Sequence, residues 1–376
     1  MCETGEKFPR IIRQDAEICP VYNVLVKLSA GKLPAELLRS LLMSLPVGGP
    51  QVVVGPGIGE DATVIDLGGP ELLVAKTDPV TFAGEDAGLY LLAVNCNDLA
   101  TTGAEPRWLL VTALLPVGIE HEQVVKIFSS LGRACTELGV TLVGGHTEMT
   151  VGLDHPILVG CLLGVAPRDR VVRTANARAG DAIILAGGIA VEGSAILARE
   201  HRDILLAKGV NQEVINRAAA WLQKPGISIL PAARIAMASC DVHAMHDPTE
   251  GGLTTALHEI AEAANVGLRI DGSAIPLLPE CKRICEALEL DPLGLLASGA
   301  LLLCVDSGDA QRLVERLNEG GIAAARIGEA VGRTEGRILL RDGRPSPLPQ
   351  FARDELARYL ETLRGSNLTM EVDDAR

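Results

Sequence analysis

The segment His-Asp-Pro-Thr-Glu-Gly-Gly at residues 246–252 indicates how this chain is built. A short apolar run over residues 242–245 precedes it, and a segment with helical spacing follows it through Ala264. The segment therefore lies at a junction from a strand to a helix, which is typical of α/β folds. Asp247 has two interpretations there, as the N-cap of the helix or as a metal ligand.

Four other segments also place acidic or amide side chains beside glycines or turn residues. They are Gly-Glu-Asp at 59–61, Lys-Thr-Asp at 76–78, Asn-Cys-Asn-Asp at 95–98, and Gly-Gly-His-Thr-Glu at 144–148. Carboxylate oxygens suit Mg²⁺, and glycine lets backbone N–H groups approach a phosphate closely. The pattern favours an enzyme that uses a nucleotide.

The composition limits the class of protein. Apolar residues make up 48% of 376 and aromatic residues only 2%, so we expect an aliphatic core. The net charge of −14 argues against broad binding to nucleic acid or to an anionic membrane surface. No apolar stretch is long enough for a transmembrane helix, and the N-terminus lacks a secretory signal. Nine cysteines without a CxxC pair indicate reduced thiols, so we predict a cytoplasmic protein.

Strand-like runs and helical segments alternate along the chain, which favours an α/β (α+β) fold with two domains in tandem. A charged, turn-rich segment over residues 167–181 is a candidate joint. We therefore predict domains over residues 1–168 and 169–345, followed by a terminal helix and a tail over 346–376. We also expect amphipathic helices within residues 20–45, and a strand from Thr141 that enters a glycine turn at Gly144-Gly145.

Six motifs follow one another in an order that resembles the aminoimidazole ribonucleotide (AIR) synthetase, or PurM-like, superfamily. They are Gly-Pro-Gly-Ile-Gly-Glu-Asp-Ala-Thr-Val-Ile (55–65), Lys-Thr-Asp-Pro (76–79), Asn-Cys-Asn-Asp-Leu-Ala-Thr-Thr-Gly-Ala-Glu-Pro (95–106), Gly-Gly-His-Thr-Glu (144–148), His-Asp-Pro-Thr-Glu-Gly-Gly-Leu (246–253) and Ala-Ser-Gly-Ala-Leu-Leu (297–302). The likeness covers about residues 20–345. It is nearest in character to the hydrogenase-maturation carbamoyl dehydratase branch.

The resemblance implies a homodimer in which the N-terminal sheets form a shared barrel flanked by C-terminal α/β domains. It also implies that ATP and Mg²⁺ bind in a cleft lined by both kinds of domain. The sequence departs from the dehydratase pattern in one respect, because its last cysteine is Cys304, within a predicted strand. Nitrile formation on a C-terminal thiol is therefore not supported by the sequence.

The candidate site residues divide by role. The metal ligands that we predict are Asp61, Asp78, Asp98 and Asp247. The predicted nucleotide contacts are Lys76, Thr77, Asn97, Gly144, Gly145, Thr147, Glu250, Gly251 and Gly252, with backbone N–H groups supplied by the glycines. His146 and Glu148 are the candidates for orienting the acceptor oxygen, since an imidazole titrates near neutrality. For His243 and His246 we expect structural roles, and for Gly187-Gly188 a packing role.

Three functions remain open at this point. The first is a Mg-ATP-dependent enzyme that phosphorylates an amide, carbonyl or related oxygen of a small-molecule or carrier-bound acceptor. The second is a small-molecule kinase that resembles thiamine-monophosphate kinase. The third is an ATP-binding maturation or scaffold protein that binds a partner protein with little turnover. In each case we expect a homodimer that binds neither nucleic acid nor a membrane.

Overall fold

The computed structural model describes residue 33 and residues 35–57, 59–81 and 86–363. The chain divides into two units, one ending at Val47 and the other beginning at Gly48. The first unit contains one described helix, α1 (Ala35–Met43). The sequence predicted helices over residues 20–45, and the part of that range before residue 33 lies outside the described residues.

The first sheet of the second unit has six strands in the order β1-β2-β3-β6-β4-β5. The strands are β1 (Val52–Val54), β2 (Thr63–Ile65), β3 (Glu71–Val80), β4 (Glu105–Pro116), β5 (Thr141–Thr150) and β6 (Ile157–Pro167). All neighbouring strands are antiparallel except β4 and β5. Buried and less buried residues alternate along β4 and β6, so one face of this sheet is covered and the other is open.

Two helices cover one face of the first sheet, namely α2 (Ala87–Ala100) and α3 (His121–Leu138). Most of α2 is buried, because it lies between the sheet and α3. The crossing of the two helices is close at Gly88, where an added Cβ would overlap the backbone of Leu131. Helix α3 ends at Gly139, whose left-handed conformation (φ 69°) favours glycine.

The second sheet has seven strands in the order β13-β12-β9-β11-β7-β10-β8. The strands are β7 (Ala182–Ala186), β8 (Val242–His246), β9 (Gly267–Asp271), β10 (Leu301–Val305), β11 (Ala324–Val331), β12 (Arg337–Arg341) and β13 (Arg344–Pro347). Strands β7 and β10 lie inside the sheet, and every residue in them is buried. Their continuous aliphatic sequences fit this position, because helices pack on both faces.

Helices surround the second sheet on both sides. They are α4 (Val191–Glu200), α5 (Arg202–Ala207), α6 (Gln212–Ala219), α7 (Leu230–Ser239), α8 (Gly252–Ala263), α9 (Pro279–Leu288), α10 (Ala310–Glu319) and α11 (355–363). Helix α8 packs on one face of the sheet, and α7 and α10 pack on the other. Among the described helices, none is long and apolar enough to cross a membrane.

The structure confirms the mixed α/β architecture with two sheets. The boundary between the sheets lies between Pro167 and Ala182, in the segment where the composition changes. The predicted glycine turn at Gly144-Gly145 was wrong, since β5 continues through both glycines to Thr150. The physical reason is a close approach, because Gly145 has φ 148° and an added Cβ would overlap the carbonyl oxygen of Val111 on β4.

Candidate functional site

Strand β3 and helix α2 bring three of the predicted site residues together. Lys76 and Asp78 lie on the same face of β3 as its buried residues, and α2 covers that face. Asp98 lies near the end of α2 and is 6% exposed. Its Oδ2 is 2.8 Å from Nζ of Lys76.

The turn before β2 and the end of β8 bring two more aspartates to the same place. One ligand atom from each of Asp61, His246 and Asp247 lies within 4.8 Å of the others. The carboxylates of Asp61 and Asp247 are also close enough to Asp98 to raise its pKa. Residues from both sheets therefore form one group, and we call Asp61, Asp78, Asp98 and Asp247 the aspartate cluster.

The surroundings disfavour the charged form of Asp98 and favour the charged form of Lys76 within the aspartate cluster. Burial raises the pKa of Asp98 well above its usual range, and repulsion from Asp247 adds to this effect. Burial would lower the pKa of Lys76, but the nearby carboxylates of Asp98 and Asp78 outweigh it, so its pKa is raised. Lys76 is therefore a fixed positive charge that partly compensates for the mutual repulsion of the aspartates.

His246 is held between two carboxylates. Its Nδ1 is 2.8 Å from Oδ2 of Asp61, and its Nε2 is 2.8 Å from Oε2 of Glu259 on α8. Burial would lower the pKa of His246, but Asp61 and Glu259 outweigh this effect and raise the pKa well above its ordinary value. The imidazolium therefore donates from both nitrogens and orients the carboxylate of Asp61.

The donor set fits a magnesium ion. Mg²⁺ prefers carboxylate oxygens, and the aspartate cluster offers them from four separate backbone positions. The buried carboxyl of Asp98 is unfavourable in its charged form unless cations compensate for it. Among the described residues, Asp61 and Asp247 each place a carboxylate oxygen within 4.8 Å of the other and of a ring nitrogen of His246. Because His246 uses both nitrogens on carboxylates, it fits the role of a residue that orients a ligand.

The structure gives Asn97 backbone partners at both ends of its amide group. Its Nδ2 donates to the carbonyl oxygen of Ile227 at 2.8 Å, and its Oδ1 accepts from the N–H of Ile229 at 3.0 Å. Asn97 is fully buried. We predicted a nucleotide contact here, but this geometry instead joins α2 to the loop before α7.

Three other predicted nucleotide contacts have partners within the protein. The hydroxyl of Thr77 donates to the carbonyl oxygen of Gly160, and the register places this side chain on the opposite face of β3 from Lys76. The N–H of Gly251 donates to Asp354, and the N–H of Gly252 donates to the carbonyl oxygen of Thr249. A phosphate at the start of α8 would have to displace these bonds.

Glu250 is an exposed residue of the same loop. Its carboxylate is close enough to Glu192 and Asp354 to raise the pKa of both groups. Burial is the larger cause for Glu192, which lies in α4 and has a pKa raised to about 7. Glu250 therefore belongs to a second acidic group behind the loop that carries Asp247.

His146 and Glu148 do not meet the aspartate cluster within one chain. They lie on β5, an exposed edge strand, where His146 Nε2 is 3.2 Å from Oε2 of Glu148. The register aligns Pro79, Val159 and Thr112 with His146 across β3, β6 and β4. Three strand spacings separate β5 from β3, which is roughly 14 Å. Gly144 and Thr147 lie on the same exposed strand.

The sequence interpretation missed three residues at the site. His246, for which we expected a structural role, lies beside Asp61 and Asp247 and holds the carboxylate of Asp61, a place at the site that the sequence did not indicate. Glu259 looks in the sequence like an ordinary helix carboxylate, yet it faces His246. Arg173 lies in the segment between the sheets, with Nη2 3.5 Å from Oε1 of Glu60. The adjacent Thr174 donates to the carbonyl oxygen of Met245, which fixes Arg173 close to the end of β8.

The prediction for Gly187-Gly188 agrees with the structure. An added Cβ at Gly187 would lie 2.5 Å from the carbonyl oxygen of Gly299, so the position serves close packing. The pair Cys281 and Cys285 is also structural in character, since both thiols are buried and their Sγ atoms are 3.9 Å apart. Neither pair adds a ligand to the aspartate cluster.

Comparison with known protein families gives two adjacent matches. Residues 59–166 match the AIR synthase related protein, N-terminal domain. Residues 178–341 match the AIR synthase related protein, C-terminal domain. The gap between the two matches coincides with the segment that joins the two sheets.

Individual relatives resemble the chain over most of its length. A Methanocaldococcus jannaschii protein named for hydrogenase expression and formation is 32% identical, covering 83% of this chain and 91% of its own. Carbamoyl dehydratase HypE of Cupriavidus necator is 31% identical, covering 76% and 78% respectively. The crystal structure of the hydrogenase maturation protein HypE in complex with ATP is similar, with a TM-score of 0.63, 26% identity, and coverage of 79% and 90%.

Proposed function

Because the chain belongs to the AIR synthase related protein family, we propose that it is an ATP-dependent enzyme that phosphorylates an amide, carbonyl or related oxygen. The observation that carries this proposal is the aspartate cluster, four buried or half-buried carboxylates of which Asp98 contacts Lys76. Such a group of oxygens can hold magnesium bridged to phosphates. The likeness to a HypE protein crystallised with ATP supports the choice of nucleotide.

The residues of the chain would act mainly by positioning and by balancing charge, as is usual in phosphoryl transfer. Magnesium-bound ATP supplies the phosphoryl group that is transferred. Asp61, Asp78, Asp98 and Asp247 would hold the metal, and His246 would keep the carboxylate of Asp61 in place. Lys76 and Arg173 are cations at the edge of the aspartate cluster that can face phosphate oxygens.

The acceptor belongs to the class of carboxamides or carbonyl compounds, by analogy with the carbamoyl dehydratases among the relatives. Phosphorylation would turn the acceptor oxygen into a leaving group, so that loss of phosphate yields a dehydrated or cyclised product. The relatives named for hydrogenase maturation also suggest a partner protein that presents the acceptor on a carrier.

We also propose a homodimer built on the open face of the first sheet. Trp108 and Leu110 of β4 are 40% and 36% exposed on that face, although their neighbours Leu109 and Val111 are buried. Contiguous apolar surface of this kind is typical of an interface. Pairing of two such faces would cover β5, so His146 and Glu148 would reach a site only in the dimer.

The proposal is tested by titrating a non-hydrolysable ATP analogue into the protein with and without Mg²⁺. We expect binding that depends on Mg²⁺ and is lost or at least tenfold weaker in Asp98→Asn. Glu122→Gln, an exposed carboxylate on α3, is the control that should bind like the unaltered protein. Absence of binding by the unaltered protein would refute the ATP-dependent function.

Product analysis then separates the alternatives. ADP together with inorganic phosphate and a dehydrated product supports the proposed enzyme. ADP with a stable phosphorylated product supports a small-molecule kinase. Nucleotide-dependent formation of a partner complex without phosphate release supports a scaffold role.

A further inference from the structure

A cavity of about 580 Å³ lies in the C-terminal half and shares no residue with the aspartate cluster. Its walls come mainly from three segments, namely residues 272–277, 289–293 and 341–342, and Ile189 closes one side. The volume is within the range of small-molecule pockets, about 300–1,000 Å³. The cavity is therefore large enough for an organic ligand of its own.

The floor of the cavity is aliphatic. It consists of Ile189, Ile275, Leu277, Leu290 and Leu293. Ile275 and Leu277 are only half-buried in the structure, so they leave apolar surface in contact with solvent. Covering that surface with an aliphatic ligand would be favourable, at roughly 25 cal/mol per Å².

The rim of the cavity is mainly acidic. Among the lining residues, Glu289, Asp291 and Asp342 face one cation, Arg341, whose Nη2 lies 3.9 Å from Oδ2 of Asp291. Outside the lining, Arg358 donates to the carbonyl oxygen of Glu289 and is close enough to its carboxylate for the pKa of Arg358 to be raised. Asp291 also accepts from the N–H of Leu293 through Oδ1. Within the described part of the chain, the carboxylates of Glu289 and Asp342 make neither a hydrogen bond nor an ion pair. The rim therefore has a net negative charge with two carboxylates available.

The backbone around the cavity adopts unusual conformations. Four described residues other than glycine have positive φ, and two of them line this cavity. Glu289 (φ 56°) and Asp342 (φ 51°) line it, and Ala190 (φ 58°) follows Ile189. Glu289 is the left-handed C-cap of α9, and Asp342 lies in the turn between β12 and β13, so the ends of regular elements fix where these two carboxylates lie.

We propose that this cavity binds a small organic cation, an ammonium or guanidinium group carried on an aliphatic chain. The chain would lie on Ile275 and Leu277, and the cationic group would contact Glu289 and Asp342 at the rim. An anion of the same length would meet net negative charge. A bare metal ion would leave the aliphatic floor uncovered, so an organic cation satisfies both parts of the cavity.

The test uses n-hexylammonium as the probe, titrated into the full chain and followed by ligand-observed NMR. We expect tighter binding of n-hexylammonium than of methylammonium, which lacks the chain, or of hexanoate, which has the opposite charge. The double variant Glu289→Gln/Asp342→Asn should weaken binding about 2- to 30-fold, because it removes two exposed charge pairs with the cation. Asparagine tolerates positive φ, so the turn at residue 342 should persist.

Asp203→Asn is the control, because Asp203 is an exposed carboxylate on α5 away from the cavity lining. Its affinity for n-hexylammonium should equal that of the unaltered protein. The proposal is overturned if hexanoate binds as tightly, if the double variant keeps full affinity, or if n-hexylammonium does not bind. An equal loss of affinity in Asp203→Asn would also overturn it, because binding would then reflect the overall charge of −14.

Discussion

Lys76 is the residue on which the electrostatic balance of the aspartate cluster depends. Its ammonium group contacts Asp98 and is also influenced by Asp78 and Asp61. Removing a buried cation leaves its partners uncompensated, which is far more costly than removing an exposed ion pair. The stability that is lost when Lys76 is replaced therefore reflects how far this cation compensates for the repulsion among the aspartates.

We predict that Lys76→Met lowers the free energy of unfolding by about 3–5 kcal/mol without added metal, the cost of breaking a buried pair. Chemical denaturation measures this change. Lys126→Met is the control, since Lys126 makes an exposed pair with Glu122 on α3 and its loss should cost less than about 1 kcal/mol. Equal effects of the two substitutions would contradict the account of Lys76.

Glu192 provides a prediction about pH. Its folded-state pKa is about 7 because of burial, compared with 4.5 for the ordinary side chain. The folded protein therefore holds this proton more tightly than the unfolded chain, so the stabilising contribution is present below pH 4.5 and is lost as pH rises through 7. Glu250 and Asp354 face the same group and add repulsion.

We expect Glu192→Gln to be more stable than the unaltered protein at pH 8, by on the order of 3 kcal/mol at most, and to lose this advantage near pH 4.5. Denaturant unfolding at both pH values measures the difference. Glu213→Gln, an exposed carboxylate on α6, should show almost no such pH-dependent difference. A constant difference between Glu192→Gln and the unaltered protein at all pH values would be inconsistent with this prediction.

At the scale of the elements, the pairing of β4 with β5 depends on one glycine. Gly145 has positive φ, and an added Cβ would overlap the backbone of Val111. We predict that Gly145→Ala destabilises the protein by more than about 2 kcal/mol, through strain and loss of pairing. Thermal unfolding provides the measurement, with exchange of the β5 amide protons as a local probe.

Gly132→Ala is a matched control for that prediction. Gly132 lies on the exposed side of α3, where an added Cβ would have no neighbour within 4 Å. Alanine is favoured over glycine inside a helix, so we expect this variant to gain about 0.5–1 kcal/mol. If Gly145→Ala proved neutral or stabilising, as expected for Gly132→Ala, the close approach of β5 to β4 would be refuted.

Much of the secondary structure was predictable because local signals agree with it. Helix α3 has an amphipathic pattern and a terminal glycine, and β7 is a continuous aliphatic run, so the sequence alone indicates both elements near their observed bounds. The course of β5 was not predictable from local signals. Glycines usually indicate a turn, and only the position of Val111 explains why they lie within a strand here.

The candidate site was partly predictable for a similar reason. The four aspartates stand out in the sequence beside glycines, turn residues or apolar runs, and the structure brings them together. The partnership of His246 with Asp61 and Glu259 was not predictable, because Asp61 and His246 are 185 residues apart. The backbone partners of Asn97 were not predictable, because a buried amide has the same sequence signature whether its partner is a ligand or the backbone.

For the whole molecule, the open face of the first sheet leads to a prediction about assembly. We expect Trp108→Lys/Leu110→Lys to convert the proposed dimer into a monomer, because each substitution places a charge in an apolar interface. Sedimentation velocity measures the change. Val125→Lys on α3 is the control, since Val125 is 48% exposed on a different surface. A monomeric unaltered protein would refute the dimer.

The two hydrogen bonds of the Asn97 side chain join α2 to the loop before α7, and they make the opening of this contact measurable. The N–H of Ile229 donates to the side chain of Asn97, so this proton is protected only while α2 and the loop before α7 remain in register. Its exchange with deuterium would therefore report the opening of that contact, independently of the unfolding of either sheet. The exchange rate of this one backbone proton therefore measures how often the contact between α2 and the loop before α7 opens, and the measurement needs no knowledge of the acceptor.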